Sequence, residues 1–170
     1  IGAVLVYRGS AAPPQTPAPT GAVPVAGLAR RGPDAAGEAT LHAAAADGFE
    51  LRLTGCVLHL RGTTCVPQPL RGEQGDALLW NGEVFGGSTA PVGPEESDTR
   101  QVLLSLGRAG DVSRTMDGVH GPYAFAYWDE TRRTLWYGRD RLGRRSLLRA
   151  ELTLPGGWRA LVLCSVVVPS

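Results

Sequence analysis

Apolar positions come in short runs along this chain, and the way each run is interrupted predicts the element it forms. Gly2 to Tyr7 is apolar and rich in β-branched residues, which predicts a buried strand. The Pro/Ala/Thr/Gly stretch from Ser10 to Thr20 sustains neither regular structure and predicts a flexible loop. Val23 to Ala29 has room for a helical turn or more before Gly and Pro punctuate Arg30-Arg31-Gly32-Pro33-Asp34. Residues 34 to 48 are ambiguous between helix and strand. Glu50 to Thr54 alternates polar and apolar with period two, and Val57 to Arg61 does so less cleanly; both predict strands.

Ala77 to Trp80 and Glu83 to Phe85 flank Asn81-Gly82, a dipeptide that strongly signals a two-residue turn, so a tight hairpin is expected there. Asp98 to Leu106 changes period. Val102, Leu103 and Leu106 recur at three-to-four spacing, Ser97 or Asp98 is placed to cap a helix, and Gly107 to end it. Pro122 to Trp128 and Thr134 to Gly138 are aromatic-rich runs around the polar Asp129 to Arg133, a second hairpin, and Ala160 to Val168 predicts a final strand. Strands outnumber helices and successive hairpins favour antiparallel pairing, so the pattern predicts an α+β architecture.

A length of 170 residues with 43% hydrophobic content suits one domain, residues 1–170, with a real core. The formal net charge of +1 argues against an electrostatically driven nucleic-acid binder. All 17 basic residues are arginine, and seven fall between Arg132 and Arg149, a cluster that could suggest an RNA-binding face. Asp129, Glu130 and Asp140 offset that charge, and no basic-aromatic stacking pattern accompanies it, so no nucleic-acid partner is expected. Cys56, Cys65 and Cys164 match no zinc-ligand spacing and predict a reduced, cytoplasmic protein without a metal. The longest apolar runs fall far short of the roughly 20 residues of a membrane span, so no membrane association is expected. The chain opens on Ile1, not methionine, and a cut N-terminus is expected.

Four short segments change the picture: Arg31-Gly32-Pro33-Asp34, Trp80-Asn81-Gly82-Glu83, Ser97-Asp98-Thr99, and the run from Gly138-Arg139-Asp140 through Gly143-Arg144-Arg145-Ser146-Leu147-Leu148. In that order and at those separations they resemble the N-terminal glutaminase domain of asparagine synthetases, a class II glutamine amidotransferase, over nearly the whole chain. Leu58-His59-Leu60-Arg61-Gly62, Leu79 to Glu83 and Gly143 to Leu148 are more similar to the asparagine synthetase domain-containing branch of that family than to ordinary synthetases, which usually carry proline where Ser146 stands. The resemblance implies an N-terminal nucleophile hydrolase fold, an αββα sandwich of two antiparallel sheets flanked by helices.

It also implies hydrolysis of L-glutamine to glutamate and ammonia by a cysteine at the mature N-terminus. The α-amine of that residue, with an intrinsic pKa of about 8, takes the thiol proton near neutral pH. Cys56, Cys65 and Cys164 have their nitrogens in peptide bonds, so none combines both roles. The family opens on cysteine, glycine, then isoleucine or a similar residue; Ile1 fits the third position, which places the nucleophile two residues ahead of this chain.

Further roles follow from the same resemblance. The side-chain amide of Asn81 and the N–H of Gly82 would stabilise the oxyanion. Arg61 would hold the α-carboxylate of glutamine, Asp98 the α-amine, and Glu83 would assist. A second register puts Leu58 at the arginine position, and then the carboxylate clamp is missing. Read by themselves, Asn81-Gly82 is a tight turn, Arg61 a strand-end surface arginine and Asp98 a helix cap, while His42 and His120 have no partner residues in sequence and read as structural. Ammonia would pass to a C-terminal synthetase-like domain outside this chain, where ATP and magnesium belong, so no cofactor is expected among these residues. The alternative is a catalytically inactive amidotransferase-like module kept for folding or partner binding.

Overall fold

The computed structural model describes residues 2–8, 25–42, 48–60, 62–87, 92–93 and 95–167. In chain order the elements are β1 (Gly2–Arg8), the short helix α1 (Val25–Ala29), β2 (Ala35–His42), β3 (Phe49–Val57), β4 (Leu70–Arg71), β5 (Ala77–Gly82), β6 (Gly86–Gly87), α2 (Asp98–Ala109), α3 (Val112–Asp117), β7 (Val119–His120), β8 (Tyr123–Asp129), β9 (Thr134–Arg139), β10 (Leu148–Leu154) and β11 (Trp158–Cys164). One sheet has the order β10-β11-β1-β3-β2, a second the order β4-β5-β8-β9, and β6 pairs with β7. The strand pairs are antiparallel, which gives the expected α+β class.

Strand β8 shows how the layers are held. All seven of its residues are buried, because both faces are covered. Tyr123, Phe125 and Tyr127 point one way, into a cluster with Val102 and Leu106 of α2 and Met116 of α3. Ala124, Ala126 and Trp128 point the other way, against Leu51, Leu53 and Leu163 of the five-stranded sheet. Period-two alternation of large and small side chains thus sets one face for helices and the other for close sheet-on-sheet packing. On the outer face of the five-stranded sheet, Leu28 of α1 packs on Trp158, Ala160 and Cys164. Burying each of the larger side chains contributes about 1.5–3 kcal/mol.

Several expectations are corrected. Asn81-Gly82 is not a hairpin turn: both residues end β5, and the chain runs straight on, with the Glu83 N–H donating to the Pro122 carbonyl and the Phe85 N–H to the His120 carbonyl. Pairing along the 120–123 segment outcompetes the local turn preference. The second strand expected from Val57 is not formed over its described residues: β3 ends at Val57 and residues 58–60 belong to no strand, where the Asp34 N–H donates to the Val57 carbonyl and the His59 N–H donates to the Asp34 carboxylate at 2.7 Å. Helix α2 passes through Gly107 to Ala109, and Gly110, left-handed at φ 67°, closes it; Ser97 holds the N-cap position without a side-chain capping bond. The last strand covers Trp158–Cys164 rather than 160–168.

The β8–β9 hairpin and the β1 strand fall where the pattern placed them. The expected loop from Ser10 to Thr20 lies outside the described residues.

Candidate active-site cleft

Along its free edge, β5 alternately presents backbone N–H groups, and their partners define a site. The Trp80 N–H donates to the Gln68 side-chain oxygen at 2.7 Å, and the Gln68 amide nitrogen returns a bond to the Trp80 carbonyl at 2.9 Å. Two positions past Gly82, the Val84 N–H donates to an Asp98 carboxylate oxygen at 2.9 Å. Alternation sends the Gly82 N–H to this same side, between the two claimed donors and away from β8. A Cβ at Gly82 would lie 2.6 Å from the Pro122 carbonyl oxygen, so the residue has to be glycine.

Gln68 reaches this edge because its own backbone lies flat on the five-stranded sheet. Gly37 and Gly55 face each other across β2 and β3, and a Cβ on either would come within 2.6 Å of the Gln68 carbonyl oxygen. Two side-chain-free positions make the seat for the loop that carries Gln68.

Asn81 shares the face of β5 that carries Ala77 and Leu79, the face turned to the five-stranded sheet. There a cleft of about 320 Å³ opens, lined by Asn81, Gly82, Glu83 and Asp98 from one side and by Cys56, Val57 and Ser165 from the other. Those last residues follow Thr54 and Cys164, the two neighbours of Gly2 in the sheet register. The beginning of β1 therefore lies between two strands whose following residues line the same cleft as the end of β5.

The rim is tied down by arginines. Arg31 donates to the Ser165 carbonyl at 2.7 Å and to the Ser146 hydroxyl at 3.3 Å. Ser146 itself donates to the Ser165 carbonyl at 2.8 Å, a bond that a proline at this position could not make. Arg145 pairs with Glu83 at 2.7 Å. Behind this loop, Asp140 is buried; burial raises its carboxyl, but hydrogen bonds from Arg144 and from the Tyr123 and Leu142 N–H groups outweigh that and hold it below the ordinary value.

Of the residues singled out in sequence, Asn81, Gly82, Glu83 and Asp98 meet in one cleft, and Arg61 lies outside the described residues. Sequence reasoning missed Gln68, Arg145 and Ser165, whose placement depends on contacts distant in the chain. Arg31, from the first of the four family-like segments, sits on the rim. The arginine cluster is distributed over ion pairs: Arg132 with Asp129, Arg133 with Glu130, Arg141 with Asp117, Arg144 with Asp140 and Arg149 with Glu151. Among the described residues no group of three or more His, Cys, Asp or Glu side chains could hold a metal ion, and no helix is long and apolar enough to cross a membrane.

Comparison with known families decides the assignment, because the glutamine amidotransferase domain family matches residues 15–156. The chain belongs to this family. The amidotransferase domain is also similar to asparagine synthetase domain-containing protein 1 of Gallus gallus, 36% identical over 146 residues, which is 84% of this chain and 22% of that protein. The proteins of the same name from Bos taurus and Mus musculus are each 39% identical over 124 residues, 71% of this chain and 18% and 19% of theirs. The amidotransferase domain thus spans about a fifth of the length of these curated relatives.

Proposed function

We propose that this domain hydrolyses L-glutamine to glutamate and ammonia, on an N-terminal nucleophile hydrolase sandwich, with the attacking cysteine supplied by residues ahead of Gly2 in the intact protein. The reading is supported by one observation: the start of β1 lies between two strands whose following residues, Cys56, Val57 and Ser165, line one cleft with Asn81 and Gly82.

The steps follow from that arrangement. The terminal amine takes the thiol proton, and the thiolate adds to the side-chain amide carbon of glutamine. Charge then develops on the amide oxygen, for which the Asn81 side-chain amide and the Gly82 N–H are the proposed donors; fixed donors of this kind contribute roughly 3–4 kcal/mol each to the transition state. The C–N bond breaks, the nitrogen leaves as ammonia with the proton the amine took up, and water hydrolyses the thioester to glutamate. Asp98 and Glu83 give the cleft the negative charge that an α-ammonium group needs, and Arg61 is proposed for the α-carboxylate.

The relatives carry an asparagine synthetase domain by name. We extend the reading accordingly to a cytoplasmic parent protein in which ammonia passes to a C-terminal synthetase-like domain, with ATP and magnesium bound there.

Glutamate release by the intact protein, with its natural N-terminus, tests the proposal. Turnover is expected to fall about 10²- to 10³-fold in Asn81→Ala with the fold retained. A folded intact protein that releases no glutamate above background overturns the hydrolase reading.

A further inference from the structure

Away from the cleft, one edge of the five-stranded sheet is left open. Strand β10 ends that sheet, and six of its seven residues are exposed. Its register on β11 sorts its side chains by face. Leu148, Ala150, Leu152 and Leu154 stand opposite Cys164, Val162, Ala160 and Trp158, on the outer face where α1 packs. Arg149 and Glu151 stand opposite Leu163 and Leu161, on the inner face that meets the second sheet. Leu148 and Leu152 are 45% and 47% exposed, so an edge strand carries two leucines in solvent on one face. At the other edge of the sheet, β2 shows Glu38 and Thr40 on the corresponding face.

An open edge offers a ladder of N–H and C=O groups to any passing strand, and charged side chains commonly guard it. Guards of one sign repel their own copies. Arg149 and Glu151 are of opposite sign, two positions apart; they bond each other, Arg159 also reaches Glu151 at 3.1 Å, and all three stay open to solvent.

Two identical edge strands that join one sheet are related by a twofold axis through it, which keeps every side chain on its own face. The register is then defined by the residue that faces its own copy. Centring on Arg149 or on Glu151 sets like charges opposite each other. Centring on Ala150 sets Arg149 against Glu151 of the second copy and Leu148 against its Leu152, and the symmetry makes each contact twice.

We propose that β10 is a dimerisation edge, on which two copies of this chain pair antiparallel over Leu148–Leu152, centred on Ala150, and join their five-stranded sheets. The occupant is a second copy because the charge order along β10 is its own complement in that register. The two exposed leucines are covered by the same pairing. This inference is independent of the glutaminase reading.

Sedimentation velocity of the intact protein over a concentration series tests it. The wild type is expected to show a monomer–dimer equilibrium with a dissociation constant of about 1–100 µM, in keeping with an interface of one strand pair. Arg149→Glu and Glu151→Arg each create two like-charged contacts, and each is expected to weaken the dimer about tenfold or more. Both side chains are exposed, so circular dichroism is expected to show the fold retained. The double swap Arg149→Glu/Glu151→Arg restores opposite charges and is expected to return the constant to within about threefold of the wild type. A wild type that stays monomeric to about 500 µM overturns the proposal. A dimer indifferent to the single reversals overturns it too, since another surface would then hold the copies together. A dimer weakened by the reversals and not rescued by the swap overturns the pairing centred on Ala150.

Discussion

Gln68 stands in for a strand neighbour of Trp80: its side-chain amide makes, with one backbone unit, the donor and acceptor bonds that a pairing strand would make. Strand β4 covers the edge of β5 at Leu78, and the glutamine extends that cover by one buried step. The Gly82 N–H beyond it is left facing the cleft.

Gln68→Ala leaves the Trp80 N–H and carbonyl without these partners in a buried setting, at roughly 1–3 kcal/mol for each group. Urea denaturation is expected to show a loss of about 2–5 kcal/mol. A change below about 0.5 kcal/mol would mean that the edge is satisfied without the glutamine.

Gly82→Ala forces a methyl group against the Pro122 carbonyl and Tyr123. The expected cost is about 1–3 kcal/mol, with turnover reduced more than stability because the backbone at the reacting oxygen shifts. Gly86→Ala is the control: nothing lies within 4 Å of its Cβ, so stability should move by less than about 0.5 kcal/mol. Equal behaviour of the two variants would show that close approach at Gly82 does not matter.

Asp98→Asn keeps an oxygen for the Val84 N–H and removes the negative charge. The glutaminase reading expects KM for glutamine to rise about tenfold or more with a small change in melting temperature, since a hydrogen bond to a charged group contributes about 1.5–3 kcal/mol. Unchanged steady-state kinetics would make Asp98 a purely structural acceptor.

The pH response of Asp140 has a defined sign. Its carboxyl is held below 3.8, its ordinary value, so it binds a proton less readily in the folded than in the unfolded chain. Its stabilisation is complete above the unfolded value and is lost as the pH falls through the lowered folded value. Asp140→Asn should therefore melt below the wild type at neutral pH, with the gap closing as the pH drops below 3.8. A gap independent of pH from 7 to about 3 would contradict this account.

The sheets were legible where side chains carry a strong period. Tyr123 to Trp128 and Thr134 to Gly138 announce their hairpin by aromatic runs on either side of a polar turn, and both runs pair as expected. Local signals failed where a distant partner outcompeted them. Asn81-Gly82 reads as a turn until Pro122, His120 and Asp98 take the backbone bonds that follow it.

Other elements gave weak signals. Strand β2 alternates half-buried and exposed positions, but Ala35, Gly37 and Ala39 are too small to show it. Helix α3 has a readable cap, the Asp111 carboxylate accepting from the Arg114 N–H at 3.0 Å, yet it is short and the spacing of Val112 and Met116 is its whole apolar pattern. Strand β10 is exposed along almost its whole length and shows no buried period. At the cleft, Asn81, Gly82, Glu83 and Asp98 were found through the resemblance, whereas Arg145 joins Glu83 from 62 positions away and carries no local mark.

The direction in which β1 enters its sheet constrains anyone who expresses this domain. Gly2 pairs with Thr54 and Cys164, and Cys56, Val57 and Ser165, which follow those partners, line the cleft, so a fusion ahead of Gly2 would be attached close to that opening. An affinity tag placed there would behave as a tethered plug at high local concentration, so purification handles belong at the other terminus.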